Sequence, residues 1–147
     1  MGRSGWDYVV AYRGDPAAAL EQLRAATLSS GDYFWDETSE EYIGPRPGSL
    51  AELDALRENE EFWEIGTHSV LDVDRLIGSR EPDPDGTVRQ LTDEEAVGFF
   101  GTATPTRAQF EAAGDPMPDV EGWSGFYQLL FDGGRPTEIA FWGATGD

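Results

Sequence analysis

The sequence predicts an α+β fold, with a mostly antiparallel sheet, helices packed on one side of it and a C-terminal β-hairpin. The main observation is the stretch 125–142, where two aromatic-rich apolar runs flank the turn residues 132–136. The first run is apolar on both alternating faces except at Gln128, which predicts a strand that is covered on both faces or central. Helix-capping signals also alternate with β-rich segments. The chain of 147 residues fits a single domain, 1–147, that buries roughly 70% of its unfolded surface.

The first strand and the first helix have clear sequence signals. Residues 6–12 are rich in β-branched and aromatic types, which favours a strand. Asp15 followed by Pro16 is typical of a helix start, because Asp caps the first turn and Pro fits the first helical position. The sequence therefore predicts a helix over 17–28, ended by Ser29-Ser30-Gly31.

The next part of the chain predicts a short strand at 32–35, a loop over 36–48 and a helix that starts at Ser49. Ser49 and Glu52 form a capping box, and the helix is expected to reach Asn59 or Glu61. Alternating residues then predict a strand from Gly66 to about Val73.

Capping signals dominate the second half before the hairpin. After a surface loop over 79–86 and a short extended piece over 87–91, a second capping box begins at Thr92, and Gly101 ends that helix. Thr104-Pro105 predicts the start of another helix to Ala112 or Ala113, and 115–121 is predicted to be a linker.

Composition restricts the function classes. The formal charge of −19 arises from 29 acidic residues and 10 arginines, with no lysine. This charge repels phosphate backbones and anionic lipids, so a basic protein is the expected partner, with no direct nucleic-acid or membrane binding. A GC-rich genome or a salt-loving host would also account for it. Cysteine is absent, which excludes disulfides and thiolate chemistry. The chain has no apolar leader and no apolar run of ~20 residues, which predicts a cytoplasmic protein.

The only histidine, His68, is the candidate acid–base residue. On a strand, alternation would place His68 and Asp72, with Asp74, on one face, where a carboxylate could orient the imidazole. The alternative is a structural histidine. A Ser-His-Asp relay with Ser69 is not supported, since adjacent strand residues point to opposite faces. Asp72 and Asp74 offer too few oxygens for a hard cation, so no metal and no cofactor is predicted.

Aromatic residues bracketed by acids form a second candidate site. Aromatic side chains supply apolar anchors, and a carboxylate rim steers a cationic partner. The alternative is that the aromatics belong to the core and the acids are solvated. The candidate partner-binding residues are Trp35, Asp36, Glu37, Glu40, Glu41, Tyr42, Glu60, Glu61 and Trp63.

Three stretches together carry a resemblance: Gly5-Trp6-Asp7-Tyr8-Val9-Val10, Gly66-Thr67-His68-Ser69-Val70-Leu71-Asp72 and Phe141-Trp142-Gly143-Ala144-Thr145-Gly146-Asp147. They resemble a group of small acidic actinobacterial proteins of unassigned function. The resemblance implies a GC-rich bacterial host and one compact domain, and it transfers no functional residue.

Three hypotheses of function follow. The first is a non-catalytic acidic binding protein, such as an immunity-type inhibitor of a basic toxin or nucleic-acid enzyme. The second is a small enzyme or ligand-binding domain with a His68/Asp72 pocket. The third is a scaffold subunit that oligomerises through its first strand or its hairpin edge.

Overall fold

A computed structural model describes residues 4–37, 44–79, 85–118 and 123–146, and it confirms an α+β fold. None of the helices in these ranges has the length and apolar character needed to cross a membrane. In chain order, the described elements are β1 (Ser4–Ala11), α1 (Pro16–Ser30), α2 (Leu50–Leu56), α3 (Phe62–Ile65), a 3-10 turn (Val70–Asp72), β2 (Arg75–Ile77), β3 (Thr87–Gln90), α4 (Asp93–Phe100), α5 (Arg107–Ala113), β4 (Ser124–Asp132) and β5 (Arg135–Thr145).

The five strands form one mixed sheet in the order β1-β5-β4-β3-β2. β5 is antiparallel to both of its neighbours, whereas β2, β3 and β4 are mutually parallel. The prediction of a mostly antiparallel sheet is therefore wrong. β3 and β4 are parallel because the connection between them contains α4 and α5. This connection is long enough to return the chain to the end of the sheet where β3 begins.

The predicted C-terminal hairpin is supported in part. β4 and β5 pair antiparallel around Gly133 and Gly134, whose φ angles of 60° and 81° are the left-handed values that a two-residue hairpin turn requires. The register shifts between Leu130 and Phe131, and β5 also pairs with β1 along all of β1. β4 and β5 are therefore interior strands of the sheet. The prediction that the first run is covered on both faces or central is confirmed, since β4 is buried from Ser124 to Gln128 and lies between β5 and β3.

Helices cover both faces of the sheet, so the prediction of helices on one side is wrong. On one face, Leu20 and Leu23 of α1 pack in a cluster with Tyr127 and Phe141. On the other, α4 and α5 pack against the alternate residues of the same two strands through Phe100, Phe110, Phe126 and Trp142. Since β4 and β5 are apolar on both faces, each face needs a covering layer.

Local capping chemistry follows the sequence closely. Asp15 Oδ1 accepts from the Ala17 N–H, and Gly31 takes a left-handed conformation after α1. At α4, Thr92 and Glu95 form the reciprocal capping box that the sequence predicts. α5 begins later than predicted, because Thr106 rather than Thr104 is its N-cap.

Two predicted strands are absent. Residues 32–35 are irregular, and 66–73 form a turn followed by the 3-10 turn, with β2 only beginning at Arg75. Gly66 and His68 adopt φ angles of 70° and 53°, which lie outside the extended region. Ser69 then caps the 3-10 turn by accepting from the Leu71 N–H. α2 also ends at Leu56, short of the predicted Asn59 or Glu61.

Candidate functional site

A buried polar network occupies the segment between α3 and β2. The Thr67 N–H and hydroxyl both donate to Asp72 Oδ1, at 2.7 and 2.8 Å. The Thr67 and Ser69 hydroxyls are 2.7 Å apart, and the Trp6 indole N–H donates to Thr145 Oγ1 at 2.7 Å. All four of the hydroxyl and carboxyl side chains are inaccessible to solvent. The network therefore fixes the turn and joins it to β1 and β5.

Asp72 is the most unusual group in this network. Burial raises the pKa of its carboxyl above the ordinary value, and the nearby Thr145 hydroxyl and the hydrogen bonds from Thr67 oppose this rise only in part. Thr145 Oγ1 donates to the Ser69 carbonyl oxygen at 3.4 Å, and Asp72 Oδ2 has no hydrogen-bond partner among the described residues. The carboxyl is thus held by one oxygen and penalised when it ionises.

The strand argument for a His68/Asp72 site is wrong, because the segment is not a strand. Asp72 is accounted for by Thr67 at Oδ1, and Asp74 forms an ion pair with Arg57 at 2.8 Å. A catalytic role for His68 and Asp72 stays a prediction, without the geometric support that alternation would have given it.

Phe34 and His68 form an aromatic pair at the surface. The Phe34 N–H donates to the Thr67 carbonyl oxygen at 2.9 Å, so the segment after α1 lies along the turn that holds His68. The two rings stack with centroids 4.5 Å apart and planes within 6° of parallel. Phe34 is 42% exposed, one of three large apolar side chains that are exposed in the described part of the chain. The stack therefore fixes an apolar group at the surface.

The two predicted tryptophan anchors are only partly exposed. Trp35 donates its indole N–H to the Gly44 carbonyl oxygen at 3.0 Å, and Trp63 donates to the Arg57 carbonyl oxygen at 2.9 Å. Both rings pack on a third apolar cluster, formed by Leu53, Phe62 and Leu71. The structure thus assigns these tryptophans mainly to packing.

The predicted acidic residues that the structure describes lie at the surface near this pair in sequence. Glu37, Glu60 and Glu61 are exposed and Asp36 is half-buried; Glu64, not among the predicted residues, is also exposed. Glu40, Glu41 and Tyr42 lie outside the described residues. Phe34, together with Glu37, Glu60, Glu61 and Glu64, is called the acidic–aromatic patch below.

Phe34 is one of the aromatic residues bracketed by acids, but it was not among the predicted partner-binding residues, although a signal was present. In an extended segment, neighbouring side chains point in opposite directions. Tyr33 and Trp35 both pack on the third cluster, which leaves Phe34 between them facing outward.

Ion pairing inside the protein occupies much of its positive charge. Arg24 donates to Asp54 at 2.8 Å while only 3% of its side chain is exposed, and Arg57 bridges Asp74 and the Asp72 carbonyl oxygen. Ion pairs with carboxylates are formed by Arg24, Arg57, Arg75, Arg89 and Arg107. Within the described ranges, no such pair involves Glu60, Glu61 or Glu64. Much of the acidic excess is therefore left on the surface.

Two acidic residues that are distant in sequence, Asp7 and Asp115, form a second acidic feature. Partial burial, together with a hydrogen bond and charge repulsion from Asp7, raises the pKa of Asp115 to about 6. Asp7 belongs to β1, and Asp115 follows the C-cap of α5 with a left-handed φ of 55°. The two carboxyls therefore lie close together, between β1 and the chain that leaves α5.

No cluster of three or more His, Asp or Glu side chains suited to a metal ion occurs in the residues that the structure describes. Comparison of the chain with protein-family models, curated proteins and solved structures found no match.

Proposed function

We propose that this chain is a non-catalytic acidic binding protein that binds a basic protein through the acidic–aromatic patch. The observation that supports it most is the exposed Phe34 ring, stacked on His68 in a region whose acids are exposed. At the centre of a protein interface, an aromatic anchor that the partner buries is usually surrounded by a charged rim.

The stack lowers the cost of binding. An aromatic side chain that is already held in one orientation loses little conformational entropy when a partner covers it. Phe34 is fixed both by its ring contact with His68 and by its backbone hydrogen bond to Thr67. Truncation of such an anchor typically costs about 2 kcal/mol, which is about a 30-fold loss of affinity.

The charge defines the partner class. A protein of formal charge −19 attracts basic surfaces over long range, and this attraction raises association rates more than it slows dissociation. The faces that bind nucleic acid are basic, so an inhibitor of a basic toxin or a nucleic-acid enzyme fits this charge. Within that class, the proposal is an immunity-type inhibitor that occupies the partner's basic face.

The test compares substitutions of the same type inside and outside the acidic–aromatic patch. Phe34→Ala should weaken binding of a purified basic partner about 30-fold, whereas Val97→Ala, which truncates an apolar residue that is 51% exposed on α4, should leave it unchanged. Glu60→Gln combined with Glu61→Gln should mainly slow association, and Glu21→Gln with Asp132→Asn is the control of equal charge. Equal effects from the Phe34 and Val97 variants would show that the patch is not the interface.

A small enzyme or ligand-binding domain centred on His68 and Asp72 is the second candidate. The left-handed backbone at His68, a conformation that non-glycine residues seldom adopt and that clusters at functional sites, is the observation in its favour. Full burial of Asp72 counts against it. Asp72→Asn retains the Oδ1 acceptor, so it should leave partner binding unchanged under the first proposal and abolish any ligand binding under the second.

A further inference from the structure

β1 is an edge strand whose hydrogen-bonding direction can be worked out from its register. β1 and β5 pair without a shift, and the Tyr12 N–H donates to the Thr137 carbonyl oxygen in the same register. In an antiparallel pair, every second residue exchanges hydrogen bonds with its partner. The even-numbered residues of β1 therefore bond to β5. Its odd-numbered residues, Gly5, Asp7, Val9 and Ala11, direct their backbone groups outward.

These outward groups have no partner in the described part of the chain. No backbone hydrogen bond is made to β1 from a described residue outside β5, apart from those within the β1–β5 ladder. Natural edge strands are usually protected from pairing by shortness, proline, a bulge or charged side chains, most often lysine. The opposite edge, β2, has three residues and begins with Arg75. β1 has eight residues, contains no proline, lysine or arginine and has no bulge, and Asp7 is its one charged residue.

We propose that β1 pairs antiparallel with β1 of a second copy of the chain, in a register centred on Tyr8. In this register Gly5 lies opposite Ala11 of the other copy, and Asp7 lies opposite Val9. Four outward residues in each copy supply one donor and one acceptor each, so about eight hydrogen bonds form across a two-fold axis. The two five-stranded sheets become one continuous sheet.

Charge and side-chain pairing favour this register over its neighbour. A register centred on Asp7 would set the two Asp7 carboxylates directly opposite each other, which is destabilising. The register centred on Tyr8 instead brings the two Tyr8 rings together and sets Trp6 opposite Val10. Tyr8 and Val10 are partly buried and pack on the α1 face of the core, so this apolar layer continues from one copy to the other.

Self-association of this kind has a distinctive salt dependence. Each copy carries a formal charge of −19, so two copies repel each other at low ionic strength. Added salt screens this repulsion and should strengthen the pairing, whereas it weakens binding of a basic partner. The two proposals therefore respond to salt in opposite directions and can fail independently.

Sedimentation equilibrium of the full chain at ~20 and ~500 mM NaCl tests the pairing, with the shorter Debye length at high salt expected to tighten dimerisation about tenfold. Val9→Pro removes an outward N–H, leaves every N–H that bonds to β5 in place and should give a monomer at every salt concentration. Val9→Ala truncates the same side chain but keeps the N–H, and should dimerise. Ala11→Pro is a second outward position should Val9→Pro fail to fold, and Phe34→Ala should dimerise like the wild type.

Hydrogen exchange provides the positional evidence. The amides of Asp7, Val9 and Ala11 should exchange rapidly in dilute low-salt samples and become protected in concentrated high-salt samples. A wild-type chain that stays monomeric at high salt would overturn the proposal. The proposal would be overturned in the same way if the chain stayed monomeric and β1 bound a strand of another protein. Dimerisation by Val9→Pro and Ala11→Pro at wild-type strength would also overturn it.

Discussion

Replacing Asp115 by Asn is predicted to stabilise the protein at alkaline pH and to have little effect in acid. The carboxyl of Asp115 has its pKa raised to about 6, with partial burial as the largest cause and the Asp7 carboxyl as the second. Asparagine retains the shape and hydrogen-bonding capacity of a protonated carboxyl, and it tolerates the φ of 55° at this position.

The sign and size follow from proton linkage. Between the ordinary pKa of 3.8 and the folded value of about 6, the folded state binds more protons than the unfolded state, so stability falls as pH rises. The full difference corresponds to about 3 kcal/mol, at ~1.4 kcal/mol per pH unit. Asp115 is partly exposed, and solvent screening reduces this to about 1 kcal/mol.

Urea unfolding followed by tryptophan fluorescence measures the effect. At pH 8, Asp115→Asn should raise the free energy of unfolding by about 1 kcal/mol, or shift the midpoint by about 0.5 M urea. At pH 4 most of the gain should be lost, because the Asp115 carboxyl, with its pKa raised to about 6, is then protonated in the folded state. Asp132→Asn, in the exposed β4–β5 turn, controls for the general benefit of removing one negative charge.

A double-mutant cycle isolates the contact with Asp7. Asp7→Asn should give a smaller gain at pH 8, because it removes the repulsion between the two carboxyls but not the burial of Asp115, and the double variant should gain less than the sum of the two. Equal gains for Asp115→Asn and Asp132→Asn at pH 8, or a gain for Asp115→Asn that persists undiminished at pH 4, would refute the raised pKa of Asp115.

Three further predictions concern the elements that hold the site. Arg57→Ala should lower stability by about 2–4 kcal/mol, since it leaves Asp74 without its buried partner and removes the hydrogen bond to the Asp72 carbonyl oxygen; chemical unfolding checks this against Arg57→Lys, which keeps the charge. Thr92→Ala should cost about 1–2 kcal/mol by removing the α4 cap, measured as a lower thermal midpoint. Gly146→Ala should displace the His68 ring, because the new Cβ would collide with it; His68 ring proton shifts in NMR spectra would then lose the contribution of Phe34.

Sequence reasoning located the starts of α1, α2 and α4 because these helix ends are determined locally. Asp15, Thr92 and Gly101 cap their helices through contacts within a few residues, so the residue types at these short spacings predict each cap. β4 was also predicted, since an apolar run that is interrupted only by Gln128 is typical of a covered strand.

Sheet direction and the layers of the fold depend on contacts that are distant in sequence. The sequence of β3 does not encode whether it lies parallel to β4; that depends on the path of α4 and α5 between them. The same limit applies to the site. Strand alternation failed at His68 because Gly66 and the Ser69 cap together turn the chain, and neither signal resembles a strand break in a residue-by-residue reading.

The most direct test of the central claim is the affinity of the protein for a purified basic partner, measured by titration calorimetry from ~50 to ~500 mM NaCl. A surface that acts through its negative potential and one apolar anchor predicts that affinity falls steeply with salt, and that Phe34→Ala is weaker by about the same factor at every salt concentration. An affinity independent of salt, or a Phe34→Ala variant that binds as tightly as the wild type, would contradict the account.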